Sequence, residues 1–202
     1  IPARTIAETI TVTARYDNTL VADDATVTFV RALNLAATEV SASPATVKAD
    51  GASTSTAQVV FKDYAGNALS VDAAKVEILL SGTAVAVTSG ATGTYTTLIP
   101  ARTAVATVTV TAKYDGTTTG GSATVNFVPA PNLAATTITA NPTTVSADGV
   151  STSTATVALK DFAGNPIAVD AAKVGILLDG ATTTVSPGTT GIYTATVPAS
   201  VI

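Results

Sequence analysis

The chain has 202 residues, a net charge of −4, 47% hydrophobic residues, only 4% aromatic and 12% charged ones, and no Cys, His, Met or Trp. That composition leaves no disulfides or thiolate chemistry, none of the usual zinc or copper ligands, and no histidine general base. The ten Lys and Arg residues form no cluster, which argues against nucleic-acid binding. No apolar run approaches the ~20 residues of a membrane helix. The missing Met reads as a segment of a longer translated chain.

Forty residues are Thr, and the apolar content is mostly Ala and Val. Val and Thr are β-branched and favour extended backbone. In chain order, the first expected strands are "TITVTARY" (Thr9–Tyr16) and "ATVTFV" (Ala25–Val30). A linker follows at "FVRALNLAAT" (Phe29–Thr38). The next strand, Leu35–Ser43, ends at Pro44. "STAQVVFKD" (Ser55–Asp63) alternates, with Ala57, Val59 and Phe61 on one face, as a half-buried strand does. Strands are then expected at Lys75–Gly82, Thr83–Ser89, Gly93–Ala101, Ala104–Tyr114 and Ala123–Val128. Tyr114–Ser122 reads as a turn-rich loop. Ser70–Leu80 has an alternative reading as a short helix, against which its β-branched neighbours argue.

From Pro131 onward the pattern repeats. Leu33–Arg102 and Pro131–Ser200 match at 41 of 70 positions without a gap, and Ile1–Val30 matches Ile99–Val128 at 18 of 30, both at an offset of 98. That period is too long for a solenoid and fits one β-sandwich. The expected fold is therefore all-β: tandem immunoglobulin-like antiparallel β-sandwiches, seven strands per 98-residue repeat. Residues 1–31 would be the C-terminal strands of one repeat, 32–130 a complete domain, and 131–202 the N-terminal strands of the next. The two flanking pieces are complementary. Either the chain is a window on a longer array, or neighbouring chains complete each other's sandwiches by strand exchange.

"ADGVSTSTATVALKDFAGNPI" (Ala147–Ile167), "AKVGILL" (Ala172–Leu178) and "GIYTATVPA" (Gly191–Ala199), with their counterparts 98 residues earlier, resemble the group-1 bacterial immunoglobulin-like domains of the invasin and intimin adhesins. The first repeat departs in having Ala68 where the second has Pro166, and both carry extra residues before the third strand. The resemblance implies a rigid stalk on the outside of a bacterial cell, with host or cell-surface receptors bound through domains outside this segment.

Among candidate site residues, Asp63, Asn67 and Asp72, and likewise Asp161, Asn165 and Asp170, supply oxygens that calcium would require. The competing reading is turn chemistry: no D-x-D-x-D-G loop is present. Gly66, Gly164, Asp148 and Gly149 read as structural turn residues. Tyr95 and Tyr193 read as core anchors. No catalytic carboxylate pair, cofactor site or metal centre is identifiable beyond the weak calcium set, so the expectation is a non-enzymatic structural protein whose partners are like repeats, end to end in the same or a neighbouring chain. A glycan- or host-protein-binding module is the rival class, resting on surface differences such as Glu39, Lys48 and Glu77 becoming Thr137, Ser146 and Gly175.

Overall fold

The computed structural model describes residues 2–200. Its strands come in the expected order. β1 (Glu8–Tyr16) and β2 (Thr19–Phe29) form an antiparallel hairpin, closed by Asp17 and Asn18 with positive φ. Then follow β3 (Leu33–Ser43), β4 (Thr46–Lys48), β5 (Ser55–Asp63), β6 (Val76–Leu80), β7 (Thr83–Val85), β8 (Thr88–Ser89), β9 (Thr94–Ile99), β10 (Ala106–Tyr114) and β11 (Thr117–Val128). These make two sheets, ordered β3-β5-β9-β8 and β4-β11-β10-β6-β7. Beyond them lie β12 (Thr137–Asn141), β13 (Ser153–Ala158), β14 (Leu177–Leu178), β15 (Ala181–Thr182), β16 (Ser186–Pro187) and β17 (Ile192–Val197), as a sheet β12-β13-β17-β16 and a hairpin β14-β15.

By compactness the chain divides in two. One unit comprises Ile1–Ala45, Thr54–Ile99 and Thr107–Val125; the other comprises Thr46–Ser53, Pro100–Ala106 and Asn126–Ile202. In the first, alternation on β5 turns Ala57, Val59 and Phe61 inward, all fully buried. They face Ile78 on β6 and Val108, Val110 and Ala112 on β10, which are buried to the same degree. Phe61 joins the sheets: its ring meets Tyr95 edge-on at 5.5 Å and Tyr114 of the opposite sheet at 5.7 Å. In the second unit, β4 runs parallel to Asn126–Val128, and the Arg102 guanidinium lies 5.8 Å from the centre of the Phe127 ring. A separate core there gathers Val157, Leu159, Ile167, Ile176 and Tyr193.

Three local features depart from the sequence reading, each for a physical reason, while Ser70–Leu80 bears out the preference for strand over helix. β4 has three residues and carries no periodic signal. The expected strand Thr83–Ser89 is two strands, because the chain changes sheets: β7 pairs with β6 and β8 with β9, with Thr97 donating to the Ala86 carbonyl at 2.8 Å in the crossing. Ser70–Leu80 is not a helix. It contains one 3₁₀ turn, Ala73–Lys75, capped by Asp72, and then strand. Finally, the supposed loop Tyr114–Ser122 is mostly strand, since the turn is only Asp115–Gly116. The glycines there mark a close approach of backbone, not a turn. A Cβ on Gly120 would sit 2.5 Å from the Ala36 carbonyl oxygen, and one on Gly121 2.7 Å from that of Thr38.

Gly121→Ala therefore forces β3 away from β11. The expected loss is about 1–3 kcal/mol, read from urea unfolding of the whole chain; an unchanged midpoint would refute the close-approach account.

Candidate functional site at the Asp63 turn

The sharpest polar chemistry in the chain lies at the end of β5. Asp63 is 3% exposed. Its Oδ1 accepts from the backbone N–H groups of Ala65 (3.0 Å) and Asn67 (2.8 Å). Main-chain bonds Asp63 N–H to Asn67 O (2.9 Å) and Gly66 N–H to Asp63 O (3.0 Å) close the turn. Gly66 takes φ +85° with open space around it, so backbone conformation alone requires glycine here.

Oδ2 is left for a partner from far along the chain. Arg31, between β2 and β3, donates from Nε to Asp63 Oδ2 at 2.6 Å and from a terminal nitrogen to the Ala68 carbonyl at 2.6 Å. One guanidinium thus ties the β2–β3 connection to the turn after β5. Arg31's hydrogen bond is the main reason the Asp63 carboxyl is held below its ordinary range. Ile6, Ala7, Ala65 and Asn67 complete the walls of a cavity of ≈ 420 Å³ around this pair.

The counterpart 98 residues on shares the turn but not the tie. Asp161 accepts from Ala163 N–H (2.9 Å) and Asn165 N–H (2.8 Å), and Gly164 takes φ +87°. Pro129 stands where Arg31 would. The free carboxylate oxygen instead meets the Asn165 side-chain amide at 3.4 Å.

Asp72 and Asp170 do not join these turns. Each accepts from the N–H two residues ahead (Ala74 and Ala172, both 3.0 Å) and caps a 3₁₀ turn, Ala73–Lys75 or Ala171–Lys173. The structure thus brings Asp63 and Asn67 together through backbone, and likewise Asp161 and Asn165, while the third member of each set serves elsewhere. Among the described residues no three His, Cys, Asp or Glu side chains gather as a metal site.

Asp50 and Asp148 build a third repeated turn. Oδ1 of Asp148 accepts from Val150 N–H (2.9 Å) and Ser151 N–H (2.7 Å), and Oδ2 accepts from Ser151 Oγ (2.7 Å). Asp50 does the same with Ala52 and Ser53. Gly51 and Gly149 follow with φ +73° and +74°. These bonds, led by the serine N–H, lower both carboxyls to about 2. Tyr95 and Tyr193 are buried. Each hydroxyl donates to one carbonyl, Val71 (2.6 Å) or Val169 (2.7 Å), and accepts that residue's N–H. No face of either ring is offered to a ligand.

Arg31 escaped sequence reasoning because its partner is 32 residues away. The available signal was its replacement by Pro129 in an otherwise matching linker.

A family model described as Invasin, domain 3 matches residues 34–130 and again 132–201. The chain belongs to this family. Its fold is that of the invasin- and intimin-type immunoglobulin-like adhesin domains. The solved structure of FdeC, an Escherichia coli adhesin, is similar over 97% of this chain and 66% of its own, with a TM-score of 0.61 and 22% identity. Invasin, a bacterial integrin-binding protein, is similar over 96% of this chain and 40% of its own, with a TM-score of 0.57 and 25% identity. The chain thus spans about two thirds of the first structure's length and less than half of the second's. No curated protein sequence matched the chain.

The Asp50 and Asp148 turns set a pH dependence. Carboxyls lowered to about 2 in the fold, against an ordinary unfolded value near 3.9, stabilise fully above about pH 4 and cease to as pH falls through about 2. The double variant D50N/D148N should flatten the melting-temperature profile between those pH values, measured by circular dichroism; a profile as steep as that of the parent chain would exclude the turns as its source.

Proposed function

We propose that this chain is a non-enzymatic stretch of an extracellular stalk on a bacterial surface adhesin, built from tandem immunoglobulin-like sandwiches that provide reach and stiffness. Domain boundaries near Arg31 and Ala130 fit this reading, supported by the two family matches. The observation that carries it is the Arg31 tie. A linker whose one guanidinium grips both a buried carboxylate and a backbone carbonyl of the following sandwich resists bending. A charge-assisted hydrogen bond, joined by a second bond from the same guanidinium to a carbonyl, is among the stronger polar contacts available without disulfides. The long-alternating β5 and β10, buried on one face, supply the core that carries load. No helix among the described residues is long and apolar enough to cross a membrane, which leaves anchoring to other parts of such a protein. Receptor contact, as for the integrin-binding invasin, is likewise assigned to regions outside this stretch.

Calcium is not needed in this account. Both oxygens of Asp63 already accept hydrogen bonds, and a calcium ion wants six to eight oxygens. Titrating the chain with calcium chloride, and separately with EDTA, should leave its melting temperature unchanged; a calcium-dependent rise would show that the turns do bind the ion.

The stiffness claim is tested with Arg31→Ala. ¹⁵N relaxation on the whole chain should show β1–β2 tumbling more independently of the β3–β11 sandwich than in the parent chain, and the Asp63 carboxyl should titrate higher. Parent and variant with the same relaxation would remove the tie as the source of stiffness.

A second reading is favoured by a separate observation. β1–β2 is a hairpin with exposed apolar residues, and the segment from β12 to β17 has an open apolar groove. Under this reading, neighbouring copies complete each other's sandwiches.

A further inference from the structure

The β10–β11 hairpin shows how such a groove is filled. β10 lies antiparallel on β6, with Val110 opposite Leu80, Ala112 opposite Ile78, Lys113 opposite Glu77 and Tyr114 opposite Val76. The edge is closed by Asp115 N–H to the Lys75 carbonyl (2.9 Å), Ser81 N–H to the Thr109 carbonyl (2.7 Å), and a Lys75–Asp115 ion pair at 3.0 Å. β1–β2 is the same hairpin, 98 residues earlier. Its positions Ile10, Val12, Ala14, Val27 and Phe29 correspond to Val108, Val110, Ala112, Val125 and Phe127, every one of them buried. Yet Val12 is 44% exposed and Tyr16, in the place of Tyr114, 84%.

The matching groove lies on the segment after Ala130. Pro131, Leu133, Val157, Leu159, Val169 and Val174 line an apolar cavity of ≈ 360 Å³. Lys173, at the position of Lys75, stands on its rim, and Leu159 takes the place of Phe61. Among the described residues neither Lys173 nor Asp17 has an ion-pair partner. The strand that should accept a neighbour is cut short: β14 has two residues where β6 has five.

We propose that the β1–β2 hairpin of a second copy of this chain docks in this groove, in the register that β10 has on β6. This rests on the self-completion reading and gives it a register. Val12 then lies opposite Leu178, Ala14 opposite Ile176, Arg15 opposite Gly175 and Tyr16 opposite Val174, with Tyr16 against Leu159. Asp17 pairs with Lys173. One difference limits the fit. Ala22 and Asp23 stand where Gly120 and Gly121 let the β3 backbone pass. The docked hairpin therefore leaves Leu133–Thr136 in the turn it now forms, closed by Ala135 N–H to the Asn132 carbonyl (3.1 Å).

The chain has no cysteine, so cross-linking reads the register directly. Arg15→Cys and Gly175→Cys chains are made separately, mixed and oxidised. Gly175 is not in the left-handed region, and a Cβ there meets only the Leu177 side chain at 3.7 Å, so the variant should fold. A disulfide between the two variants, well above that between Arg15→Cys and Leu98→Cys (60% exposed on another sheet), is expected. Light scattering of the parent chain should show concentration-dependent association. D17K or K173D should weaken it about 2- to 5-fold and D17K/K173D should restore it; Y16A should weaken it about 10-fold. A22G/D23G should tighten it, and weakening there would overturn the proposed register. Association without the Arg15–Gly175 cross-link would overturn the register but leave self-completion standing. A monomer at every concentration would overturn both.

Discussion

A β-strand extends only as far as its neighbours supply hydrogen-bond partners and a face to pack against, and this chain carries two copies of one stretch in which to compare them. "KVEILL" and "KVGILL" differ at one position. The first becomes a five-residue strand between β10 and β7; the second, without a β10, keeps two residues of pairing with β15 alone. The one substitution puts Gly175 in place of Glu77, and glycine itself weakens a strand interior. The absent neighbour acts in the same direction, since β-propensity also measures packing on neighbours. The hairpins tell the converse story. β1 pairs with β2 alone, and its Val12, Ala14 and Tyr16 stay exposed, while Val110 and Ala112 at the equivalent positions of β10 are fully buried and Tyr114 is partly so. Pairing makes the ladder, and opposition of two sheets makes the core.

What does not depend on that opposition is the turn chemistry. The Asp63 and Asp161 turns, the Asp50 and Asp148 turns and the tyrosine hydroxyl anchors have the same bonds in both repeats, within a few tenths of an ångström. Each satisfies its donors within a few residues or across one buried ring. The tyrosine anchors tie β9 and β17 to the connections after β5 and β13, and the segment after Ala130 keeps its four-stranded sheet although its β14 is short.

The legible and illegible parts of the fold divide along the same line. Alternation marked β5 and β10, because each is long and buried on one face. The Asp-Gly turns were readable because glycine's positive φ and aspartate's capping are local. Three things were hidden. β4 is too short to show a period. The change of sheet between Val85 and Thr88 is a tertiary event, written in no dipeptide. Glycine in β11 looks like a turn signal in sequence and serves instead as clearance for a crossing backbone. At the site, the sequence marked Asp63 and Asn67 as a pair, read either as a calcium site or as turn chemistry. The structure shows a closed backbone turn there and adds a cation of the protein itself, Arg31.

The two linkers are held in different ways. In "FVRALN" an arginine ties the connection to Asp63 and the Ala68 carbonyl; in "FVPAPN" two prolines stand at the corresponding place and fix φ. The proline solution is independent of pH and salt. The arginine solution is held by a carboxylate that is itself almost fully buried, so screening by salt reaches it less than a surface pair. It can nevertheless be released by protonation or by pulling the guanidinium free, which a ring closure cannot. The Arg31 link therefore depends on a charge pair that protonation can remove, whereas the Pro129–Asn132 link rests on its prolines and on a backbone bond from Asn132 N–H to the Lys160 carbonyl at 2.7 Å.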